Sequence, residues 1–551
     1  MLSGRIKSVV VKNKLPCRFV GVKTTAESFL RKLRWSTPSK DWHRVSASAA
    51  HSDRRDRACA GSMRLNYTFS NLCGTVYRQG NLVFSPDGST LYSAVGNRVA
   101  CFDLIRSRSF TFPFEARRNI SRLALSPDGA ILLTIDDEGH LLMVNVHRRI
   151  AIHHLNLKQK VGDVRFSPDG KYVAFAIGRL TQVWATPALE RSFVPFALHD
   201  TFGGHGDDVV RLEWSPDSLF IASGSRDTAV RVHPLHRIAG LQPCNLTGHR
   251  SALRGVFFAD ADAETLYAVS KEGALSVWEL RDRPDADPAE VARQQAAAAA
   301  EPGGGGRGER AIGKWWELAD RHYLSKGGAR SGCRVSSCVY HAHTRMLVVG
   351  FGVGTFSLYE MPGFNEVHTL SISESRVDAC AVAPTGDWLA FGCAQLGQLL
   401  VWEWQAETYV LKQQGHYFAE VGALAYSPGG NVVATGGGDG KVKLWSPSSG
   451  FCFVTFSEHA APVTDVAFVP HGRALVSSSL DGTVRAFDTI RYRNFQTLVS
   501  PTPAQFTCVA VDQSGEIVAA GSRDTLLIYI WSLQVLRPPP MCPSTCFCPS
   551  L

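Results

Sequence analysis

Three sets of histidine, hydroxyl and aspartate side chains recur along the chain at matching spacings, and these residue types can carry out nucleophilic catalysis. The sets are His205, Ser223 and Asp227; His416, Thr435 and Asp439; and His459, Ser477 and Asp481. A hydrolase needs one such set, with its nucleophile on a strand–turn–helix loop of the Gly-x-Ser-x-Gly type, and none of the three lies in such a loop. The repetition favours a structural role, and we expect no catalytic residue and no enzymatic activity.

Two further motifs suggest ligand chemistry but lack the spacing that it requires. The run Gly436–Lys441 is rich in glycine, yet it has neither P-loop spacing nor the following Ser/Thr, so a tight turn is predicted. Cys542, Cys546 and Cys548 lack a second pair of ligands for zinc. We expect no metal and no cofactor. Single cysteines within strand-like segments predict buried thiols in a reducing compartment: Cys101, Cys380, Cys393, Cys452 and Cys508.

The elements that position these side chains are repeats. The turn signature Ser-Pro-Asp-Gly begins at Ser85, Ser126 and Ser167, 41 residues apart, and returns without its glycine at Ser215. Proline pre-sets φ at the second position of a tight turn, and Asp and Gly tolerate the rest, so each copy predicts a hairpin. Looser copies follow at Ala383–Gly386, Ser427–Gly430, Val469–Gly472 and Asp512–Gly515. A period of about 40 to 45 residues is typical of WD40 repeats.

Most units end in a further strand that carries an aromatic residue or a substitute for one. These strands are predicted at Val99–Leu104, Thr181–Trp184, Leu275–Trp278, Phe356–Tyr359, Leu399–Trp402, Val442–Trp445, Val484–Phe487 and Ile528–Trp531. Ten units exceed the usual four to eight blades of one propeller. We therefore predict an all-β fold, with one complete seven-bladed WD40 β-propeller at 63–409 and about three blades of a second at 410–534. Such a fragment should be unstable unless it docks on something else.

The resemblance to WD40 proteins also implies a role for the His, Ser/Thr and Asp sets, since family members buttress their blades with these side chains and a tryptophan. The set of His416 is complete, with Trp445 at the tryptophan position. Phe487 takes that position beside His459, and His233 takes it beside His205. A fourth unit has His249 and Trp278, but Glu272 stands at the aspartate position.

The net charge of +9 hints at a nucleic-acid partner, but its distribution argues against a basic fold. Residues 1–62 hold 14 Lys/Arg and 4 Asp/Glu, which leaves 44 basic and 45 acidic residues in the remaining chain. Any contact with RNA must therefore be local. No apolar run approaches the roughly 20 residues of a membrane helix, so we expect no membrane association.

Three longer runs resemble the periodic tryptophan protein 2 family of WD40 proteins over most of residues 63–534. They are Met63–Leu82, Gly397–His416 and Asp481–Phe495. The resemblance implies a non-catalytic scaffold of the nucleolar small-subunit processome, which supports pre-rRNA processing and assembly of the small ribosomal subunit. Implied partners are other tandem WD40 propeller proteins, together with pre-rRNA and small nucleolar RNA, bound directly or indirectly. The implied location is the nucleolus, within the nucleus.

A WD40 adaptor or substrate receptor that binds peptides in a ubiquitin ligase or a trafficking complex is the alternative. Exposed loop residues could serve RNA or protein in either case, and the candidate contacts are Arg491, Tyr492, Arg493 and Phe495.

Three segments depart from the family. Residues 1–62 have no counterpart and are expected to be a basic, disordered extension, either an upstream-extended gene model or a targeting segment. Residues 281–313 form a low-complexity insertion that we expect to be disordered. After Gln534, where the family continues into further blades and a helical domain, 535–551 is a divergent Pro/Cys-rich tail, as in a truncated or mis-spliced product.

Overall fold

A computed structural model describes residues 71–72, 74, 76–187, 195–236, 243–260, 262–283, 313–324, 334–416 and 420–533. Every regular element in these ranges is a β-strand, and the strands form ten antiparallel sheets. Each strand pairs with the next one along the chain; nine sheets have four strands and the last has three. Within the described ranges, no helix has the length and apolar character needed to cross a membrane.

The first seven sheets take up residues 82–414. The first comprises β1 Leu82–Phe84, β2 Thr90–Val95, β3 Arg98–Asp103 and β4 Arg108–Thr111; the second, β5 Ile120–Leu125, β6 Ile131–Asp136, β7 His140–Asn145 and β8 Ile150–Asn156. The third comprises β9 Val161–Phe166, β10 Tyr172–Ile177, β11 Leu180–Ala185 and β12 Leu198–Phe202; the fourth, β13 Val209–Trp214, β14 Phe220–Ser225, β15 Val230–Pro234 and β16 Cys244–Leu246. The fifth comprises β17 Leu253–Phe258, β18 Thr265–Ser270, β19 Ala274–Asp282 and β20 Lys314–Tyr323. The sixth comprises β21 Val335–His341, β22 Met346–Phe351, β23 Thr355–Glu360 and β24 Asn365–Ser371; the seventh, β25 Ala379–Val382, β26 Trp388–Cys393, β27 Gln398–Glu403 and β28 Thr408–Gln414.

The last three sheets follow the same plan. The eighth comprises β29 Val421–Tyr426, β30 Val433–Gly437, β31 Val442–Trp445 and β32 Cys452–Phe456; the ninth, β33 Val463–Phe468, β34 Ala474–Ser479, β35 Thr483–Asp488 and β36 Arg493–Val499. The tenth comprises β37 Phe506–Val511, β38 Ile517–Ser522 and β39 Ile528–Ser532.

The turn between the first two strands of a sheet has the same construction in successive sheets. In the first sheet the Gly88 N–H donates to the Ser85 carbonyl oxygen at 2.9 Å, and the Ser85 hydroxyl donates to the Asp87 carboxylate, which lowers the pKa of Asp87. Gly88 has φ +72°, a left-handed conformation that glycine adopts without a Cβ clash. The next two sheets repeat this geometry at Ser126–Gly129 and Ser167–Gly170.

The core consists of apolar clusters between neighbouring sheets. Among the described residues, seven such clusters fill the successive interfaces of sheets one to seven, including the interface that joins the seventh sheet back to the first. At that seam, Leu91 and Phe102 pack with Leu399 and Val401, and β1 contacts β25 and β26. Because the contacts form a cycle, the seven sheets close into a ring. The all-β propeller fold predicted from the repeats is confirmed.

The eighth sheet attaches to the ring across the seam between the first and seventh sheets. On β28, Gln413 Nε2 donates to the Cys452 carbonyl oxygen at 3.2 Å, and Gln413 Oε1 accepts the Cys452 N–H at 2.9 Å. The side-chain amide thus reproduces the paired bonds of adjacent strands. On β4, the Ser109 N–H donates to the Ser449 carbonyl oxygen at 2.8 Å. Outer strands from both sides of the seam therefore hold the eighth sheet.

Aromatic packing adds to this attachment. Phe451 stacks on Phe102 of the first sheet, with ring centroids 6.2 Å apart, and lies half-buried against the cluster that closes the ring. Two further clusters join the eighth sheet to the ninth and the ninth to the tenth. The three-sheet segment is thereby docked on the ring.

Some features differ in detail from the sequence-based expectations. The outer strand β28 runs across residue 409, so the seventh sheet ends at Gln414, because a fourth strand follows the aromatic one. Strand β19 extends to Asp282 and pairs with β20, so two residues of the segment 281–313 form strand. Cys508 is exposed rather than buried, because the outer face of the tenth sheet is uncovered. Segments 1–62, 284–312 and 535–551, with Cys542, Cys546 and Cys548, lie outside the described residues.

Candidate interaction surfaces and buried polar networks

A hydrogen-bonded network of four side chains crosses the eighth sheet. The Trp445 indole N–H donates to Thr435 Oγ1 at 2.8 Å, His416 Nε2 lies 2.8 Å from the same oxygen, and His416 Nδ1 lies 3.0 Å from Asp439 Oδ1. Since an indole can only donate, the Thr435 hydroxyl accepts from Trp445 and donates to His416 Nε2. We infer that His416 carries its proton on Nδ1 and donates it to Asp439. The hydrogen-bonding groups of these four side chains are therefore paired with one another.

The ninth sheet has the same arrangement without its tryptophan. His459 Nδ1 lies 2.8 Å from Asp481 Oδ2, and His459 Nε2 lies 2.7 Å from Ser477 Oγ. Phe487 occupies the tryptophan position and stacks on Phe456, with ring centroids 4.2 Å apart. Phenylalanine has no N–H to satisfy, so Ser477 needs to serve only the histidine at that end.

The fourth sheet carries the third set. His205 Nδ1 lies 3.1 Å from Asp227 Oδ2 and its Nε2 lies 2.9 Å from Ser223 Oγ. His233 stands at the tryptophan position and stacks on Phe202 at 4.9 Å, but its Nδ1 is buried without a hydrogen-bond partner among the described residues. Burial, followed by the nearby charge of His205, lowers the pKa of His233 to about 4.

These three sets are closed to substrate. The side chains of His205, His416 and His459 are only 1–2% exposed, and Ser223 and Ser477 are fully buried. Burial lowers the pKa of both His205 and His459, which favours the neutral imidazole. A carbonyl carbon cannot approach either serine hydroxyl without opening a sheet, so the geometry favours a structural role over nucleophilic catalysis.

In the fifth sheet the corresponding network is incomplete. Both ring nitrogens of His249 and the Trp278 indole N–H are buried without hydrogen-bond partners among the described residues. By strand register, Ala268 takes the position in the fifth sheet that Thr435 takes in the eighth. The hydroxyl that links tryptophan to histidine in the eighth sheet is therefore missing. Glu272, at the aspartate position, is exposed. Burial lowers the pKa of His249 to about 4.

The four candidate contact residues lie together on the outside of the ninth sheet. Arg491 and Tyr492 form the turn after β35, where the Asp488 carboxylate accepts the Arg491 N–H at 3.1 Å. Arg493 begins β36, and Phe495 follows on the same strand. Tyr492 is 48% and Phe495 41% exposed, and both arginines are exposed. The Tyr492 ring meets Phe453 of the eighth sheet edge-on at 5.9 Å. We call Phe453, Arg491, Tyr492, Arg493 and Phe495 the outer-strand patch.

Two sheet faces carry apolar side chains that the sequence analysis did not single out. On the tenth sheet, Ile528 and Ile530 are 73% and 68% exposed, whereas the alternate residues Tyr529 and Trp531 pack towards the ninth sheet. On the eighth sheet, Leu424 and Tyr426 are each 62% exposed. Side chains along β39 alternate in exposure, but Ile528–Trp531 are all apolar, so no alternation of polar and apolar residues in the sequence marks the open face.

Groups of three or more His, Cys, Asp or Glu side chains that could hold a metal ion are absent from the described part of the chain. Its cysteines are all free of disulfide bonds.

Comparison with known proteins agrees with this architecture. The family model described as "WD domain, G-beta repeat" matches residues 197–233, 407–446 and 450–488. These ranges contain the three paired histidine sets of the fourth, eighth and ninth sheets. The WD40 repeats predicted from the turn spacing are therefore confirmed.

Several curated relatives are named periodic tryptophan protein 2 or its homolog. The Saccharomyces cerevisiae protein is 45% identical and the match covers 86% of this chain and 50% of that protein. The Mus musculus homolog is 44% identical, over 86% of this chain and 54% of its own length. The Arabidopsis thaliana protein is 40% identical, over 85% and 56%. This chain thus spans about half the length of the relatives it matches.

A more distant relative matches a smaller region. The "Pre-rRNA-processing protein IPI3" of Meyerozyma guilliermondii is 30% identical over 25% of this chain and 33% of that protein. Together, the repeats, the ring of sheets and the extent of the identity identify this chain as a WD40-repeat β-propeller protein homologous to the periodic tryptophan protein 2 proteins.

Proposed function

We propose that the chain is a non-catalytic scaffold of ribosome biogenesis that acts within the nucleolar small-subunit processome, where it supports pre-rRNA processing and small-subunit assembly. The observation that carries this proposal is the 40–46% identity, over about 85% of the chain, to proteins named periodic tryptophan protein 2. The smaller match to a protein named for pre-rRNA processing points to the same process.

The geometry fits a scaffold. A closed ring of sheets presents the loops of every sheet on one rigid frame, which suits simultaneous contact with several partners. The residue types that could catalyse hydrolysis are buried in the fourth, eighth and ninth sheets, where they pair with one another. Such pairing satisfies polar groups that these sheets would otherwise bury unpaired.

The outer-strand patch is the surface that we assign to RNA or to a neighbouring propeller protein. Arg491 and Arg493 can bind phosphate oxygens, and the exposed rings of Tyr492 and Phe495 offer faces on which an unpaired base can stack. Other tandem WD40 proteins of the processome, pre-rRNA and small nucleolar RNA are the partners that this proposal predicts, through direct or indirect contact.

The test is purification of the tagged chain from growing cells, followed by sequencing of the bound RNA and identification of the bound proteins. Pre-rRNA, small nucleolar RNA and other WD40 proteins are expected, with the fluorescently tagged chain in the nucleolus. Recovery of ubiquitin-ligase or trafficking-coat subunits without pre-rRNA would overturn the proposal in favour of a peptide-binding adaptor.

A charge-reversal pair tests the patch itself. Arg491→Glu with Arg493→Glu should reduce the recovered RNA about tenfold, since two phosphate contacts are lost. The matched control is Arg106→Glu with Arg108→Glu in the first sheet. That turn has the same construction, with Ser107 at φ +50° where Tyr492 has φ +52°, but no aromatic neighbour in the turn. An equal loss in both variants would remove the patch from the proposal.

A further inference from the structure

The ring of seven sheets encloses a cavity of about 460 Å³ on its axis. The first strand of every sheet from one to seven contributes to its lining: β1, β5, β9, β13, β17, β21 and β25. A second cavity of about 480 Å³ shares Arg122 and Arg254 with the first. These two arginines therefore lie where the two cavities meet.

Positive charge exceeds negative charge in the axial cavity. Its lining carries five arginines, Arg122, Arg165, Arg211, Arg254 and Arg376, against three carboxylates, Asp163, Glu213 and Asp378. Within a closed protein wall such charges attract one another more strongly than in water, and an unbalanced one costs more.

The carboxylates are already engaged by two of the arginines and by the backbone. Arg376 Nε donates to Asp378 at 2.6 Å, and Arg165 Nη2 lies 3.8 Å from Glu213. Asp163 accepts the Leu212 N–H at 3.2 Å and lies 4.0 Å from the nearest nitrogen of Arg165. Each carboxylate therefore lies within 4.0 Å of Arg165 or Arg376, and Asp163 is equally far from Arg122.

Among the described residues, Arg122 and Arg211 have only backbone carbonyl partners or a distant carboxylate, and Arg254 has none at its Nε. Arg122 donates to the Gly162 and Ser121 carbonyl oxygens at 2.7 and 3.0 Å, with Asp163 4.0 Å away, and Arg211 donates to the Arg254 carbonyl oxygen at 2.8 Å. Arg254 Nε is buried without a hydrogen-bond partner among the described residues. Burial, and next the positive charge of Arg211, lowers the pKa of both Arg122 and Arg254. Arg211 therefore lies close enough to repel both Arg122 and Arg254.

We propose that the axial cavity is a binding site for a small polyphosphorylated anion, held by the guanidinium groups of Arg122, Arg211 and Arg254. Planar guanidinium groups match phosphate oxygens in geometry and stay charged when buried. A cavity of this volume lies in the range of small-molecule sites and exceeds what a single inorganic phosphate fills. A bound polyanion would also supply the negative charge that the lining lacks.

A small anion fits this site better than a nucleic-acid strand. The cavity lies inside a closed ring, so a long polymer would have to thread through it, whereas a small molecule needs only to diffuse in. The proposal rests on the cavity alone, and it stands or falls independently of the ribosomal assignment.

The experiment uses the full chain with inositol hexakisphosphate and pyrophosphate as probes, followed by calorimetric titration and by thermal melting. Buffers with NaCl at the same ionic strength provide the reference. We expect saturable binding near one molecule per chain and a rise in Tm that NaCl does not reproduce. Arg254→Gln should weaken the affinity about tenfold or more, since one charged hydrogen-bonding group is lost. Arg254→Lys should bind with intermediate affinity.

If Arg254 had a merely structural role, Arg254→Gln would lower the Tm of the unliganded protein. The proposal predicts that Arg254→Gln leaves the Tm of the unliganded protein unchanged or raises it, because Arg211 repels Arg254. The matched control is Arg281→Gln, which removes an exposed arginine of β19. Absence of saturable binding by the wild-type protein would overturn the proposal. So would equal loss of affinity in the Arg281 variant, or displacement by single-stranded RNA with no effect of either small probe.

Discussion

Trp445 on β31 and Thr435 on β30 are diagonal neighbours, and the Trp445 indole N–H donates to the Thr435 hydroxyl oxygen at 2.8 Å inside the eighth sheet. The same hydroxyl reaches His416, so one oxygen links two aromatic side chains. Replacing it removes two hydrogen bonds at once.

Thr435→Val should therefore destabilise the protein by about 2–4 kcal/mol, because the Trp445 N–H and His416 Nε2 would both be buried unpaired. Chemical denaturation measures the change. Thr408→Val, on the exposed part of β28, is the matched control and should change the free energy of unfolding by less than about 0.5 kcal/mol. A similar loss in the two variants would contradict the network.

Adding the missing hydroxyl to the network of the fifth sheet should stabilise that sheet. Ala268→Ser places a hydroxyl where the Trp278 N–H and His249 lack one, and we expect a gain of about 1 kcal/mol. Ala434→Ser provides the control, because Ala434 is equally buried but faces the neighbouring sheet rather than a histidine. That variant should lose stability. If both substitutions are equally destabilising, the fifth sheet has no vacant place for a hydroxyl.

His233 should make stability depend on pH. Its pKa is about 4 in the folded protein, against 6.5 ordinarily, so the unfolded chain binds more protons between these values. Its contribution is thus fully present above about pH 6.5 and is lost as the pH falls towards 4. His233→Phe should flatten the dependence of Tm on pH in this window, as Phe487 fills the same position in the ninth sheet. Exposed His147→Gln should leave the slope as it is, and an unchanged slope in His233→Phe would refute the assignment.

Docking of the eighth sheet depends on Phe451 rather than on its neighbour Phe453. Phe451→Ala should make the eighth sheet more susceptible to limited proteolysis, because the stacking on Phe102 is lost. Phe453 is 45% exposed, and Phe453→Ala should be cleaved at the wild-type rate. Equal cleavage of both variants would mean that the Gln413 and Ser109 bonds alone hold the sheet.

The open face of the tenth sheet should promote self-association. Ile528→Lys with Ile530→Lys should lower the apparent mass in light scattering and leave Tm within about 2 °C, since both side chains already lie in solvent. Trp531→Lys instead places charge against the ninth sheet and should reduce Tm. Unchanged scattering in the double variant would show that this face does not drive association.

The hairpin turns were the most predictable part of the fold. Proline, aspartate and glycine at Pro86, Asp87 and Gly88 each satisfy a local requirement of the turn, so the pattern needs no knowledge of the tertiary structure. The outer strands were less predictable. Residues of β24 are almost all exposed, so no alternation marks the strand. Strand β28, which the sequence analysis divided at residue 409, buries Leu411 and the polar Gln413, so its sequence does not alternate between apolar and polar residues either.

The candidate sites also differ in how well the sequence could predict them. The set of His416 could be located because its members lie within one repeat. The axial arginines could not, although Arg122, Arg165, Arg211 and Arg254 recur at intervals in the low to middle forties, because their significance depends on closure of the ring. A repeat search centred on first strands, rather than on turns, would have found them.

The seam between the first and seventh sheets also has a consequence for the order of events during synthesis. Ser109 bonds to Ser449, 340 residues later in the chain. At about 5–20 residues per second, a ribosome needs roughly 20–70 s to cover that distance. The face of the first sheet that carries Leu91 and Phe102 likewise has no partner until Leu399 and Val401 of the seventh sheet have been made, so the nascent chain must protect this face for much of that interval. Substitutions of Leu91 or Phe102 that weaken their packing against the seventh sheet should therefore reduce the yield of newly made protein. The effect on the lifetime of protein already folded should be smaller.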